Sequence, residues 1–325
     1  MENIGLGLIG TGKIAHQLAE AVRSVDGIEA VAIYSRTEES GRAFADAEGG
    51  MRVYTSLSEL LADKEVNAVY IASPNALHFG QAMAALQAGK HVLCEKPCTA
   101  TETECEALFA EARARRLVLL EAMRPLHDPM LPLLRQSLPL LGQVRRVDLE
   151  YCQYSSRYDR FKAGELPNAF DARLANAALM DIGVYPIALL VALFGMPRRV
   201  QAQSLFLSGG FEGAGDILCE YDGLLASVSY SKITDSTTPS VIAGEKGSLH
   251  ISGLSKTEQV TFRPRGESVR ALPYIPAPNN MVHELADFRD MILGKPPRED
   301  YEKYTLDTAR LIAAVRRLSG ISFDK

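Results

Sequence analysis

The chain has 325 residues, 47% of them hydrophobic, enough for two folded units with substantial cores. A net charge of −5 with both signs well interspersed leaves no broad basic surface for nucleic acid. No uninterrupted apolar run approaches the ~18 residues of a membrane span, and no charged leader with an apolar signal core precedes the first strand pattern, so a cytoplasmic protein without membrane or nucleic-acid partners is expected.

In chain order, Ile4 to Ile9 reads as a buried strand, and Gly10-Thr11-Gly12-Lys13-Ile14-Ala15 leads into an amphipathic run from Ile14 to Val25. Strand, glycine turn and helix form the context in which G-x-G-x-x-G/A binds a dinucleotide. Gly10 permits the tight turn, and Gly12 lets the backbone approach a pyrophosphate. Ala15 keeps the helix close to the strand, while the helix N-terminus offers amides and a positive dipole to the anion. Gly10, Thr11, Gly12, Lys13 and Ile14 are therefore the first candidate cofactor residues.

The alternation continues with a strand at Ile28 to Tyr34, a helix at Glu38 to Ala47, a short strand at Val53 and Tyr54, and a strand at Ala68 to Ala72. A helix from Leu77 to Ala88, a strand from His91 to Cys94, a helix from Thr101 to Arg115 and a sixth strand from Val118 to Glu121 complete it. Such alternation implies a parallel, doubly wound Rossmann sheet. The second strand ends at Ser35-Arg36, where an NAD site usually carries an acidic residue for the ribose 2′-hydroxyl. A hydroxyl and a guanidinium suit a 2′-phosphate instead, so NADP is favoured over NAD.

Five cysteines without disulfide-like spacing fit a reducing compartment. His91, Cys94 and Cys98 invite comparison with a metal site, but they straddle a strand end and a proline with no second ligand pair. Inert thiols are the expectation, and no metal.

The fifth strand ends in Glu95-Lys96-Pro97. Ligands of open α/β sheets bind beyond the carboxyl ends of the strands, and a lysine there supplies positive charge to a developing alkoxide. Together with Ser73-Pro74-Asn75, His78 and the run Ala88-Gly89-Lys90-His91-Val92-Leu93-Cys94 before it, this segment resembles the Gfo/Idh/MocA family of oxidoreductases. The resemblance runs over almost the whole chain. It implies a catalytic Lys96, with Glu95 tuning the ammonium and Pro97 stiffening a turn that suits a cis bond. It also extends the cofactor contacts to Ser73, Pro74, Asn75, His78, Glu95 and Lys96.

A second signature of that family is matched by Leu179-Met180-Asp181-Ile182-Gly183-Val184-Tyr185-Pro186, which opens an apolar helix ending near Phe194-Gly195. Helical spacing places Asp181 and Tyr185 on one face, and Gly183 leaves room for a ligand or a close backbone. Many relatives carry histidine where Tyr185 stands; the tyrosine is similar to the dihydrodiol dehydrogenase and glucose–fructose oxidoreductase branches. A phenol whose pKa is lowered by the Lys96 ammonium would donate or accept the proton. Upstream, Asn176-Ala177-Ala178 departs from the glycine-rich stretch common in the family and puts any particular substrate specificity in doubt.

After Glu121 strand alternation dominates, at Val144 to Tyr154, Val200 to Leu207, Asp216 to Tyr221, Leu224 to Tyr230, Val241 to Ala243 and Leu249 to Ile251. Asp222-Gly223 and Gly244-Glu245-Lys246-Gly247 supply turns. An α+β domain with an open, mainly antiparallel sheet follows, and helices from Met281 to Leu293 and Tyr304 to Leu318 close the chain. The division is a dinucleotide-binding domain over residues 1–121 and a substrate and oligomerisation domain over 122–325. The resemblance further implies a homo-oligomer, a dimer or tetramer, built through one sheet face. In the polar, aromatic segment from Ser155 to Phe170, Arg157, Tyr158 and Phe170 stand equally as substrate contacts or as parts of a solvated loop. Arg124 and His127, after the sixth strand, have the same standing.

The leading expectation is reversible hydride transfer between NADP(H) and a sugar, polyol or related diol. Lys96 would polarise the oxygen, Tyr185 would shuttle the proton and Asp181 would orient them. A non-catalytic cofactor or sugar sensor of the same fold is the alternative, as is a lyase or glycosidase that uses the nicotinamide transiently.

Overall fold

The computed structural model describes residues 3–323 in two compact units. The first holds β1 (Ile4–Ile9), α1 (Lys13–Val22), β2 (Ile28–Tyr34), α2 (Glu38–Ala47), β3 (Arg52–Tyr54) and α3 (Leu57–Ala62). It continues with β4 (Ala68–Ile71), α4 (Asn75–Gln87), β5 (His91–Glu95), α5 (Glu102–Arg115) and β6 (Leu119–Ala122). Its sheet is parallel, in the order β3-β2-β1-β4-β5-β6. The order reverses at β1, so the ligand crevice of this topology is expected at the carboxyl ends of β1 and β4. All residues of β1, β4 and β6 are buried, as strands covered on both faces must be. Helix α5 starts from a capping box in which Thr101 Oγ1 accepts from the Glu104 amide and Glu104 Oε2 from the Thr101 amide.

The second unit contains α6 (Arg124–His127), α7 (Met130–Ser137), β7 (Val144–Cys152), α8 (Tyr158–Lys162), a π-helical turn at Leu179–Gly183 and α9 (Val184–Phe194). Strands β8 (Arg199–Phe206), β9 (Glu212–Tyr221), β10 (Leu224–Ser231), β11 (Ser240–Gly244), β12 (Gly247–Ser252), β13 (Gln259–Pro264) and β14 (Arg270–Ala271) follow. The sheet order is β14-β13-β12-β11-β7-β10-β9-β8. Every pair is antiparallel except β7 with β10, which run parallel with Leu149 opposite Val228. The expected turn at Asp222-Gly223 joins β9 to β10, with Gly223 at φ +69°. One face of the sheet packs on α9, whose residues from Val184 to Ala192 are all buried.

Ala172–Phe194 is a 23-residue helical stretch with a mean hydropathy of 2.1, long and apolar enough by composition to cross a membrane. Its apolar window is 78% buried inside the protein, where it serves as the core helix of the second unit.

The chain closes with α10 (Met281–Ile292) and α11 (Tyr301–Ser319). Residues 277–305 belong to the first unit, so a single cut after residue 121 does not describe the compact units. Helix α10 packs on α1, Asn279 Nδ2 donates to the Gln17 carbonyl at 2.8 Å, and Arg289 donates to the Asp26 carbonyl at 2.9 Å. An amphipathic helix announces that it has an apolar face but not which sheet layer that face will cover.

Candidate functional site

The glycine turn after β1 divides its requirements between two residues. Gly10 has φ +111°, and a Cβ there would lie 2.7 Å from the Ala72 carbonyl oxygen, so the neighbouring chain leaves space for glycine only. At Gly12 a Cβ would meet nothing within 4 Å. No internal packing demands that glycine; the space it leaves opens outward at the start of α1. That helix has neither a capping side chain nor an acidic residue in its first turn, so its positive end is left for an external anion. Thr11 is half-buried, and Lys13 and Ile14 are exposed.

At the end of β2, Ser35 is buried and its Oγ lies 2.5 Å from Ser40 Oγ. Arg36 is exposed, and its guanidinium makes no hydrogen bond or ion pair among the described residues. The outward space at Gly12, the uncapped helix and this open cation fit an anionic dinucleotide carrying a 2′-phosphate.

The lysine turn stands at the end of β5. The Lys96–Pro97 bond is cis. Glu95 is buried; its Oε1 accepts from Tyr70 Oη at 2.5 Å and its Oε2 from the Lys96 amide at 3.3 Å. The next turn is held by Glu121, whose Oε1 accepts from the Cys98 amide at 2.7 Å. Burial pushes the Glu121 carboxyl up to about 7, against the amide's opposing pull.

His78 is only 1% exposed. Its Nδ1 lies 2.9 Å from the Pro97 carbonyl oxygen and its Nε2 2.9 Å from that of Ser73. Burial pushes the imidazole down despite these two acceptors, and a neutral ring donates to one of them. This geometry makes His78 a link between two main-chain turns, those of Ser73 and Pro97. Ser73 Oγ donates to Gln81 Oε1 at 2.6 Å, while Pro74 and Asn75 begin α4. His91 Nδ1 accepts from the Val118 amide at 2.9 Å, and burial pushes the Cys94 thiol up. Against the lowering hydrogen bond with Cys105, the hydrogen bond with Cys94 and burial push the Cys98 thiol up as well.

In the second unit, Asp181 lies in the π-helical turn and Tyr185 in the first turn of α9. The α-helical spacing expected between them therefore starts in a wider turn, a feature frequent at functional sites. Tyr185 is 9% exposed and meets Tyr151 edge-on, with ring centroids 5.4 Å apart. Gly183 makes room for a neighbour rather than a ligand, since a Cβ there would stand 3.0 Å from the Tyr230 ring. In place of the family's glycines, Asn176 Nδ2 donates to the Asn168 carbonyl at 2.7 Å, and Ala177 and Ala178 are fully buried.

Two charged residues that sequence reading does not single out organise this turn. Glu212 is buried at the start of β9, accepts from the Leu179 amide at 2.9 Å, and is pushed up to about 7 by burial. Lys232, just past β10, sends its buried ammonium to Asp181 Oδ2 at 2.9 Å. Phe170, a possible substrate contact by sequence, is buried in a stack with Tyr158, Phe161 and Phe211. Arg157 is exposed, whereas His127 is buried. The one sequence signal for Lys232 is a lysine ending an alternating strand, a pattern equally common on surfaces.

Comparison with known proteins adds family membership to this geometry. Residues 4–122 match the model of an oxidoreductase family with an NAD-binding Rossmann fold, and residues 140–250 match the GFO/IDH/MocA C-terminal domain. The chain is 38% identical over 323 residues to the scyllo-inositol 2-dehydrogenase (NADP(+)) IolU of Bacillus subtilis, with 98% of each chain covered. It is 28% identical over 269 residues to the trans-1,2-dihydrobenzene-1,2-diol dehydrogenase of Mus musculus, covering 80% of this chain and 78% of that one. Among solved structures, KijD10, a 3-ketoreductase from Actinomadura kijaniata in complex with NADP and TDP-benzene, superimposes with a TM-score of 0.87 at 26% identity and 98% coverage of both chains.

Proposed function

Because the chain belongs to the GFO/IDH/MocA family of oxidoreductases, we propose that it transfers a hydride between NADP(H) and a carbinol or carbonyl carbon of a sugar, polyol or diol. The observation that carries this reading is Lys96 at the carboxyl end of β5, in the same sheet whose β1 leads to an outward-open glycine turn and an uncapped helix. The named relatives act on an inositol, a dihydrodiol and a nucleotide-linked sugar, and they support the substrate class.

When bound, the nicotinamide supplies the hydride acceptor or donor. Gly10, Thr11, Gly12, Lys13 and Ile14 would cradle the pyrophosphate. Arg36, with Ser35 below it, would take the 2′-phosphate, and Ser73, Pro74, Asn75 and Glu95 would border the cofactor's path. In the oxidising direction the substrate hydroxyl loses its proton as its carbon loses hydride. Lys96 would stabilise the developing alkoxide through its charge, Tyr185 would take the proton, and Asp181 would orient the substrate. In the reducing direction Tyr185 returns the proton to the same oxygen. We extend the proposal to a homo-oligomer: Leu218 and Leu225 are exposed on adjacent strands of the second sheet, and light scattering would give the size.

The test follows nicotinamide absorbance with both cofactors against inositols, sugars, diols and dicarbonyls. Turnover with NADP(H) is expected. Replacing Arg36 with Ala should raise the KM for NADP about 10-fold and leave that for NAD unchanged, as loss of a charge-assisted phosphate contact requires. Tight NADPH binding with silence across the panel would overturn the substrate class.

A further inference from the structure

Lys232 has too many partners for a lysine at a strand end. Its side chain is 2% exposed, and its ammonium donates to Asp181 Oδ2 at 2.9 Å and to the Ala169 carbonyl at 2.7 Å. The remaining N–H direction faces aromatic rings, with Phe170 at 5.0 Å and Phe211 at 5.6 Å from Nζ to centroid. Its main chain is fixed as well: the amide donates to the Gly213 carbonyl, and the carbonyl accepts from the Ser155 amide, both at 2.9 Å.

Burying an ammonium is costly and a buried ion pair is a poor source of stability, so the arrangement calls for a reason other than folding energy. The asymmetry of the pair supplies one. Asp181 keeps 37% of its side chain exposed while Lys232 is enclosed. The carboxylate is thus anchored at Oδ2 from within the protein, while part of the Asp181 side chain still reaches the surface. The anchor also joins three segments: the π-helical turn carrying Asp181, the loop from Ser155 to Phe170, and the end of β10.

We propose that Lys232 is a positioning residue, which fixes the Asp181 carboxylate for substrate and ties its orientation to the order of the aromatic loop. The inference rests on the proposed role of Asp181 and extends it to a residue that touches neither substrate nor cofactor.

A double-mutant cycle tests it, with Lys232→Met, Asp181→Asn and the double variant assayed on scyllo-inositol with NADP+. Lys232→Met should lower kcat about 100-fold, the scale of misplacing a site group by about 1 Å, with NADPH affinity within about twofold. The double variant should be no slower than the slower single one, because both substitutions remove one interaction. Losses that multiply, or an unchanged kcat in Lys232→Met, would overturn the proposal. Should the methionine variant fail to fold, Lys232→Gln keeps hydrogen bonding, removes only the charge, and must show the same non-additivity. Hydrogen exchange of residues 155–183 separates this idea from the functional reading. Even in a wild type inert on scyllo-inositol, Lys232→Met should speed exchange in both the loop and the π-helical turn, and Asp181→Asn should do so without further gain in the double variant. Unchanged exchange in either segment would overturn the coupling.

Discussion

The lysine turn and the aspartate turn invert each other's electrostatics. Lys96 projects from a strand end whose backbone is held by buried acids and a buried neutral imidazole: Glu95 on the Lys96 amide, Glu121 on the Cys98 amide, His78 against Pro97. Asp181 projects from a helical turn held by a buried cation at its side chain and a buried carboxyl at its N-terminal amide, Lys232 and Glu212. In each unit the candidate charge is half-buried and the groups that hold its turn are buried. The support differs in kind. At the lysine turn the contacts of Glu95, Glu121 and His78 fall on the main chain, whereas at the aspartate turn Lys232 grips the carboxylate itself.

The comparison is broken most directly at Lys96. Lys96→Met should lower kcat at least ~1,000-fold, the scale of losing one preorganised oxyanion donor, while NADPH titration gives nearly unchanged affinity. Unchanged turnover would remove Lys96 from the chemistry and leave the aspartate turn alone at the centre.

The next effect concerns pH. Glu121 and Glu212 each sit near 7 in the folded chain against an ordinary 4.5. A raised folded pKa means that each contribution to stability is fully present below about pH 4.5 and is lost as pH rises through about 7, by at most about 1.4 kcal/mol per unit. Glu121→Gln and Glu212→Gln should therefore each gain stability relative to wild type between pH 5 and 8 in urea unfolding. A gain in one variant only would show that the two turns do not store burial cost alike.

Gly183→Ala sharpens the contrast further. Its Cβ would press on the Tyr230 ring from 3.0 Å, and a cost of about 2 kcal/mol is expected from overpacking, read as a lower urea midpoint. Gly12→Ala is the small-effect counterpart. With open space around its Cβ, it should cost less than about 1 kcal/mol in stability yet weaken NADPH binding, because the methyl group would occupy the phosphate's approach. Equal stability losses in the two variants would mean that Gly12 serves the fold rather than a ligand.

Much of this was legible because it is local. A glycine turn between adjacent strand and helix, a lysine ending a strand, and an Asp four residues before a Tyr each involve a handful of consecutive residues. Short-range sterics and hydrogen-bond periodicity place them at strand and helix ends, and the parallel order of the first sheet follows from the same alternation. Elements with weak periodicity were harder. Helix Leu57–Ala62 is six residues long, and β13 alternates over Gln-Val-Thr-Phe-Arg-Pro with only Val260 and Phe262 as apolar signals. Their packing, rather than their pattern, decides them.

The sequence by itself determined the class of both sheets and the dinucleotide turn, and it singled out Lys96 and Asp181 as candidate charges. Tertiary structure alone decided what holds those charges. Lys232 meets Asp181 only because β10 pairs with β7 and β9 in one register, and the loop before residue 170 folds its carbonyl and rings onto the ammonium. The same kind of long-range closure turned His78 inward between two carbonyls and returned α10 to the first unit. Such contacts join residues far apart in the chain, and their partners are selected by sheet register and burial, which no local pattern encodes.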